Sequence, residues 1–259
     1  MSSRGPYRAV SFDLWFTALY FDSEIEDAWR SDRIRVLGEM LRDTTGDVPT
    51  PDAIGRALDS VQSHLRSEGH DPVVVAPKQL VAQYARSLEA RLTVSVEEAG
   101  RRYSTAGLFE HPPPINPEVA SVADALQARG IPLIMITNTA RQESSWQEFL
   151  RNRAGLRFEH IVTSCEFGAA KPDREIFLEA SRRVGVPPSG ILHVGDRWEL
   201  DVEGALRAGY GAALYRGLWS RYPPEFYPRT DLPEADYPNV LRIDRLDELL
   251  DESLFDRPE

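Results

Sequence analysis

From residue 118 onwards, short apolar runs alternate with helical stretches, and this alternation leaves few architectures open. The apolar runs are IPLIMI at 131–136, HIVTS at 160–164, ILHV at 191–194 and AALY at 212–215; helices are expected over 118–129, 143–153, 175–184 and 199–208. Runs this short and this continuously apolar read as strands buried on both faces, and helices between them read as crossovers of a parallel sheet. The expected class is α/β, a three-layer sandwich around a parallel central sheet.

A fifth apolar run, Ala9 to Phe12, lies far upstream and is cut off from the others by sequence with almost no strand signal. Ser23 can cap a helix bearing Ile25, Trp29, Val36, Leu37, Met40 and Leu41, and a second helix is expected over 52–66. The segment EGHDPVVVAP at 68–77 reads as loop or short extended chain. A third helix carries Leu80, Tyr84, Leu88 and Leu92 four apart, and a fourth starts at Ser95, with Glu98 at capping-box spacing. Four helices suffice for a bundle with its own core. The stiff passage HPPPINPE at 111–118 marks a boundary. The expected division is therefore a core from 1–19 and 110–259, with 20–109 inserted as a helical domain over the carboxyl end of the sheet, as a lid. Residues 217–238 read as an irregular wrap and 246–250 as a closing helix.

Polar residues recur where the strands stop. Asp13 follows the first run, Thr137 and Asn138 the second, Asp196 the fourth with Asp201 five residues on, and Lys171 lies in the loop CEFGAAKPD. Each has an ordinary explanation: a turn residue, a helix cap, a surface cation, or an acid in a helix's first turn. Parallel strands, however, bring their carboxyl ends to one crevice, so these residues are expected to meet. The net charge of −11 argues against nucleic acid or an anionic membrane surface as partner. It also means that an anionic substrate needs local cations or a metal. A single cysteine, Cys165, excludes an intrachain disulfide, fits a reducing compartment and reads as a small buried apolar residue. With no apolar leader and no membrane-length run, a cytoplasmic location is expected.

The stretches SFDLWFTAL, LIMITNT, AAKPDREIF and HVGDRWELDVEGALRAG, in this order and at these separations, resemble the haloacid dehalogenase-like hydrolase superfamily. The resemblance implies a Rossmann-like core and a helical cap of four-helix-bundle type at the position of the insert. It implies that Asp13 attacks a phosphoryl group to form an aspartyl-phosphate, and that Mg²⁺ is held by Asp13, Asp196 and the backbone carbonyl of Trp15. Asp201 joins this metal site, orienting Lys171 or a metal-bound water. Thr137 and Asn138, with nearby backbone N–H groups, bind the phosphoryl oxygens, and Lys171 neutralises nucleophile and transferring group. The implied partner is a small phosphorylated metabolite, the protein being a monomer or homodimer.

One position departs from the family's phosphatases, which place a second Asp, the general acid and base, two residues after the nucleophile. Here that residue is Trp15, whose indole cannot carry out this proton transfer. A good leaving group would relax the requirement; His64, His70 or an acid of the insert are other conceivable donors. The family's metal-independent 2-haloacid dehalogenases, in which the nucleophile attacks carbon, also lack that Asp and often carry an aromatic residue there. Asp196 weighs against that alternative, because a carboxylate beside Asp13 without a metal would repel it. A degenerate member that binds a phospho-ligand without turnover is the remaining alternative.

Overall fold

The computed structural model describes residues 6–20, 23–219 and 236–255. In chain order, β1 (Ala9–Phe12) is followed by an insert of α1 (Ser23–Met40), β2 (Leu41–Arg42), α2 (Pro51–Ser67), α3 (Pro77–Ser87), β3 (Arg91–Leu92) and α4 (Val96–Thr105). Then come α5 (Pro117–Ala128), β4 (Leu133–Thr137), α6 (Glu143–Ala154), β5 (His160–Thr163), α7 (Ser164–Phe167) and α8 (Arg174–Val184). The chain continues through β6 (Ile191–Gly195), α9 (Glu203–Ala208), β7 (Gly211–Tyr215) and β8 (Leu241–Ile243).

Six strands form one parallel sheet in the order β5-β4-β1-β6-β7-β8. Side chains alternate between its faces with the two-residue period of a strand. Val10, Phe12, Leu133, Met135, Leu192 and Val194 pack beneath α5 and α6, whereas Ala9, Ile134, Ile136, Ile191 and Leu214 pack beneath α8 and α9. Both faces are therefore buried, which is why the strands read as unbroken apolar runs.

β1 lies centrally, between β4 and β6. From β1 the chain moves to β4 on one side, and from β6 to β7 on the other, so the order reverses between β1 and β6. In open α/β sheets the crevice at such a switch point, beyond the carboxyl ends of the strands, is where ligands bind. Asp13 and Asp196 are the residues that follow these two strands.

The insert leaves and returns through paired connectors. Tyr20 N–H donates to Pro114 O (3.1 Å) and Asn116 N–H to Ala18 O (2.9 Å). Asn116 caps α5 by accepting from Glu118 N–H, while its amide donates to Thr17 O and the Tyr215 hydroxyl, both at 2.9 Å. Helices α1 to α4 enclose an apolar cluster of their own, including Leu37, Met40, Leu58, Val81, Tyr84 and Tyr103.

Several expectations need correction. Leu92 does not extend the third helix: α3 ends at Ser87, Glu89 takes a left-handed φ of 50°, and Leu92 pairs with Leu41 in a two-stranded ribbon. The loop at 68–77 contains a 3₁₀ turn, Pro72–Val74, capped by Asp71. The helix expected over 199–208 begins as a π-helical turn, Trp198–Val202, before α9. The closing helix at Leu246–Leu250 is 3₁₀ rather than α. The wrap expected over 217–238 falls largely outside the described residues; β8 follows it as a sixth strand that the sequence did not announce.

Candidate active site

β1 stops where Asp13 N–H still donates to Val194 O (2.8 Å), so the sheet's last rung fixes the backbone of Asp13. The chain then turns sharply: Phe16 adopts a left-handed φ of 59° and its N–H donates to Leu19 O (2.6 Å). This turn sets Trp15 on the wall of a cavity of about 520 Å³, with its ring 5.2 Å from Trp146 and 5.8 Å from Trp29. Asp13, Lys171, Asp196 and Asp201 line the same cavity and are buried.

Carboxylate oxygens of Asp13, Asp196 and Asp201 lie within 4.8 Å of one another. The Lys171 ammonium donates to Asp13 Oδ1 and to Asp201 Oδ1 (2.6 Å to the latter). Asp201 also accepts from Arg197 N–H (2.9 Å) on Oδ2 and contacts His193 Nε2 (3.3 Å), and His193 Nδ1 meets the Ser11 hydroxyl (2.8 Å). The π-helical turn carries Asp201 into this position. Gly195 permits it, since a Cβ there would overlap the Asp201 carboxyl group. Lys171 is held in turn by Asn138, whose side chain donates to Lys171 O (2.9 Å) and accepts from Lys171 N–H (2.8 Å).

Three carboxylates and one ammonium do not balance in a buried space. Burial works against the Asp201 anion, but Lys171 and His193 outweigh it and hold this carboxyl well below the usual range. Burial likewise opposes the Lys171 charge, yet Asp13 and Asp201 raise it. Asp13 is pushed up to about 7, by burial first, with Lys171 pulling it back. Asp196 is raised furthest, by burial and by the charges of Asp13 and Asp201. Its Oδ1 has only Thr17 Oγ1 at 3.5 Å, and its Oδ2 is buried without a hydrogen-bond partner. A buried carboxylate oxygen orphaned beside two others is the donor set a hard divalent cation fits, with few protein oxygens and room for others.

Thr137 is also enclosed: its Oγ1 has no hydrogen-bond partner, and it is not among the residues lining the cavity, whereas Asn138 is. Cys165 is buried, its thiol pushed up to about 12 by burial, which makes it a poor nucleophile. His64 and His70 are exposed and neither lines this cavity. Arg33 and Arg141 do line it. The sequence reading missed both, because only the turn of α1 and the path of the loop after β4 decide where they lie.

A sequence profile of the haloacid dehalogenase-like hydrolases matches residues 7–209. The chain belongs to this family. A glyceraldehyde 3-phosphate phosphatase from Methanopyrus kandleri is 35% identical over 136 residues, 52% of this chain and 54% of that protein. The chain thus spans about half the length of this curated relative. Among solved structures, a 2-haloacid dehalogenase from Pseudomonas syringae pv. Tomato superposes with a TM-score of 0.59 at 24% identity, covering 95% of this chain and 97% of that one. A HAD phosphatase from Thermococcus onnurineus gives 0.59 at 21%, covering 97% and 100%. At such identities the likeness is one of fold, and one fold serves both a dehalogenase and a phosphatase, so the choice of chemistry rests on the site. No helix among the described residues is long and apolar enough to cross a membrane.

Proposed function

We propose that this hydrolase is a Mg²⁺-dependent phosphatase acting on a small phosphorylated metabolite, with Asp13 as nucleophile. The observation that carries the reading is the excess of buried carboxylate around Lys171, above all the orphaned Oδ2 of Asp196. The relatives named as phosphatases support it.

In this reading Asp13, Asp196 and Asp201 hold the cation together with the Trp15 carbonyl. Bound Mg²⁺ supplies positive charge that lets Asp13 stay ionised and that offsets charge on the phosphoryl oxygens. Asp13 attacks phosphorus in line, the bond from phosphorus to the leaving oxygen breaks, and an aspartyl-phosphate forms. Water then releases phosphate and restores the carboxylate. Lys171 neutralises Asp13 and the group in transfer, and Asp201 keeps Lys171 in place. Asn138, which lines the cavity, and nearby backbone N–H groups steady the phosphoryl oxygens. The helical insert, residues 20–109, acts as the lid over the core of 1–19 and 110–259.

Trp15 leaves no carboxylate at the usual acid and base position, where such a group contributes about 10²–10⁴-fold. Good leaving groups are therefore favoured over simple alkoxides. The same residue favours the second reading, carbon–halogen hydrolysis without metal. Phosphate release from an aryl phosphate, abolished by EDTA and by Asp13→Asn, supports the first reading. Halide release from 2-chloropropionate unaffected by EDTA, with no phosphate release, would replace it with the second.

A further inference from the structure

The cavity has a cationic wall that the phosphoryl chemistry above does not use. Arg33, on α1, and Arg141, on the loop after β4, both line it. Arg141 is 1% exposed, and its guanidinium lies 4.4 Å from the centre of the Trp29 ring. It donates to the Ser104 and Ala106 carbonyls (2.5 and 3.0 Å), so no carboxylate satisfies it directly. Burial and the charge of Arg33 both press its guanidinium well below the usual range, with Glu110 and Asp32 offsetting part of this.

Arg33 lies with its guanidinium carbon 5.3 Å from the centre of the Tyr103 ring. Its Nε is buried without a hydrogen-bond partner, and it forms no ion pair among the described residues. Apart from the Asp13, Asp196 and Asp201 group, the one carboxylate lining the cavity among the described residues is Glu26, which is exposed. Two of the three arginines that line the cavity, one fully buried and the other with an orphaned donor, are unfavourable to each other until an anion enters. Trp15 and Trp29 pack against each other, 5.8 Å between ring centres, and present an apolar wall along which a short carbon chain would run.

We propose that Arg33, backed by Arg141, forms a second anion site, and that the preferred substrate is a phosphate monoester whose carbon chain carries another anionic group, a carboxylate or a second phosphate. The proposal rests on the phosphatase reading for which end of the substrate reacts, but not for whether the site binds an anion. Guanidinium groups suit either anion, because both present paired oxygens to the planar fork.

Three compounds of matched length test it: propyl phosphate, 3-phosphooxypropanoate and propane-1,3-diol bisphosphate. For the wild-type protein, at least one anionic tail should raise kcat/KM about tenfold or more over propyl phosphate, mainly through KM, as expected for one charge-assisted pair. The tail that gains more identifies the source as carboxylate or phosphate. Arg33→Gln should bring the ratio close to one, and Arg33→Lys should retain part of it. Equal kcat/KM across the series, or a preference that survives Arg33→Gln, overturns the proposal while leaving the phosphatase reading intact. If the three compounds are not hydrolysed, calorimetric binding of the three decides the anion site alone, and if an aryl phosphate is not hydrolysed either, the phosphatase reading fails as well. Tighter binding of an anionic tail that Arg33→Gln removes then upholds it, and equal binding refutes it.

Discussion

Replacing Asp196 with Asn removes the carboxylate that has no cation beside it, and this should stabilise the metal-free protein. Within the 4.8 Å that spans these oxygens and at an effective dielectric constant of about 20, two carboxylates repel by about 3.5 kcal/mol or more. Lys171 already cancels part of the charge on Asp13, and Asp196 escapes part of the remainder by taking up a proton. The net gain on Asp196→Asn is then about 1–3 kcal/mol at about pH 8, or several degrees in Tm for a chain of this length. The sign follows from the shift. The folded value of Asp196 lies above its unfolded value, so between the two the native state binds the extra proton. Wild-type stability without metal therefore falls as pH rises through the folded value, and the advantage of Asn shrinks toward about pH 5. On the proposed reading magnesium should reverse the ranking, because it would bind only the native wild-type site and add stability by mass action. Urea denaturation with EDTA or with MgCl₂, at both pH values, measures all four corners. A destabilised Asp196→Asn whose deficit ignores both pH and MgCl₂ would refute the reasoning, since Asp196 would then be an ordinary structural acceptor for Thr17.

Lys171→Met strands Asp13 and Asp201 in the interior; unfolding free energy should drop by about 3–5 kcal/mol and phosphate release should cease, read by denaturation and phosphate assay. Gly195→Ala drives a methyl group into the Asp201 carboxyl, with an overpacking cost of about 1–3 kcal/mol and a lower kcat as Lys171 loses its anchor, while β6 stays paired. Trp15→Asp should raise the turnover of alkyl phosphates relative to aryl phosphates, with a ceiling of about 10²–10⁴-fold. An unchanged ratio would mean that the proton is supplied from elsewhere.

The residues that converge in the cavity were legible where strand periodicity placed them. Asp13 and Asp196 follow apolar runs whose buried faces fix both register and direction, and Asn138 follows a third. Lys171 was found through its motif, although nothing in its loop shows that Asn138 grips both its N–H and its carbonyl. Asp201 was placed near the site, but the π-helical turn that delivers it leaves no sign in WELDV, because a widened turn depends on tertiary contacts. Leu92 shows the reverse failure, in which a four-residue apolar period continued past the true helix end. β8 is three residues, Leu-Arg-Ile, too short to alternate visibly. Arg33 and Arg141 were invisible for another reason: among 30 basic residues, only the packing of α1 and the path of the loop after β4 decide which ones face inward.

The central position of β1 also bears on how the molecule is made. Ser11 meets His193 across 182 positions, whereas Tyr84 finds Tyr103 only 19 residues away. On the ribosome the segment bearing Asp13 emerges well before β4 and β6, the two strands that flank it. Contacts between such distant segments form slowly, so the helices in between have time to collapse around short-range partners first. Asp13, the proposed nucleophile, is translated before the strands that enclose it, and a chain stalled between them would carry it without its surroundings.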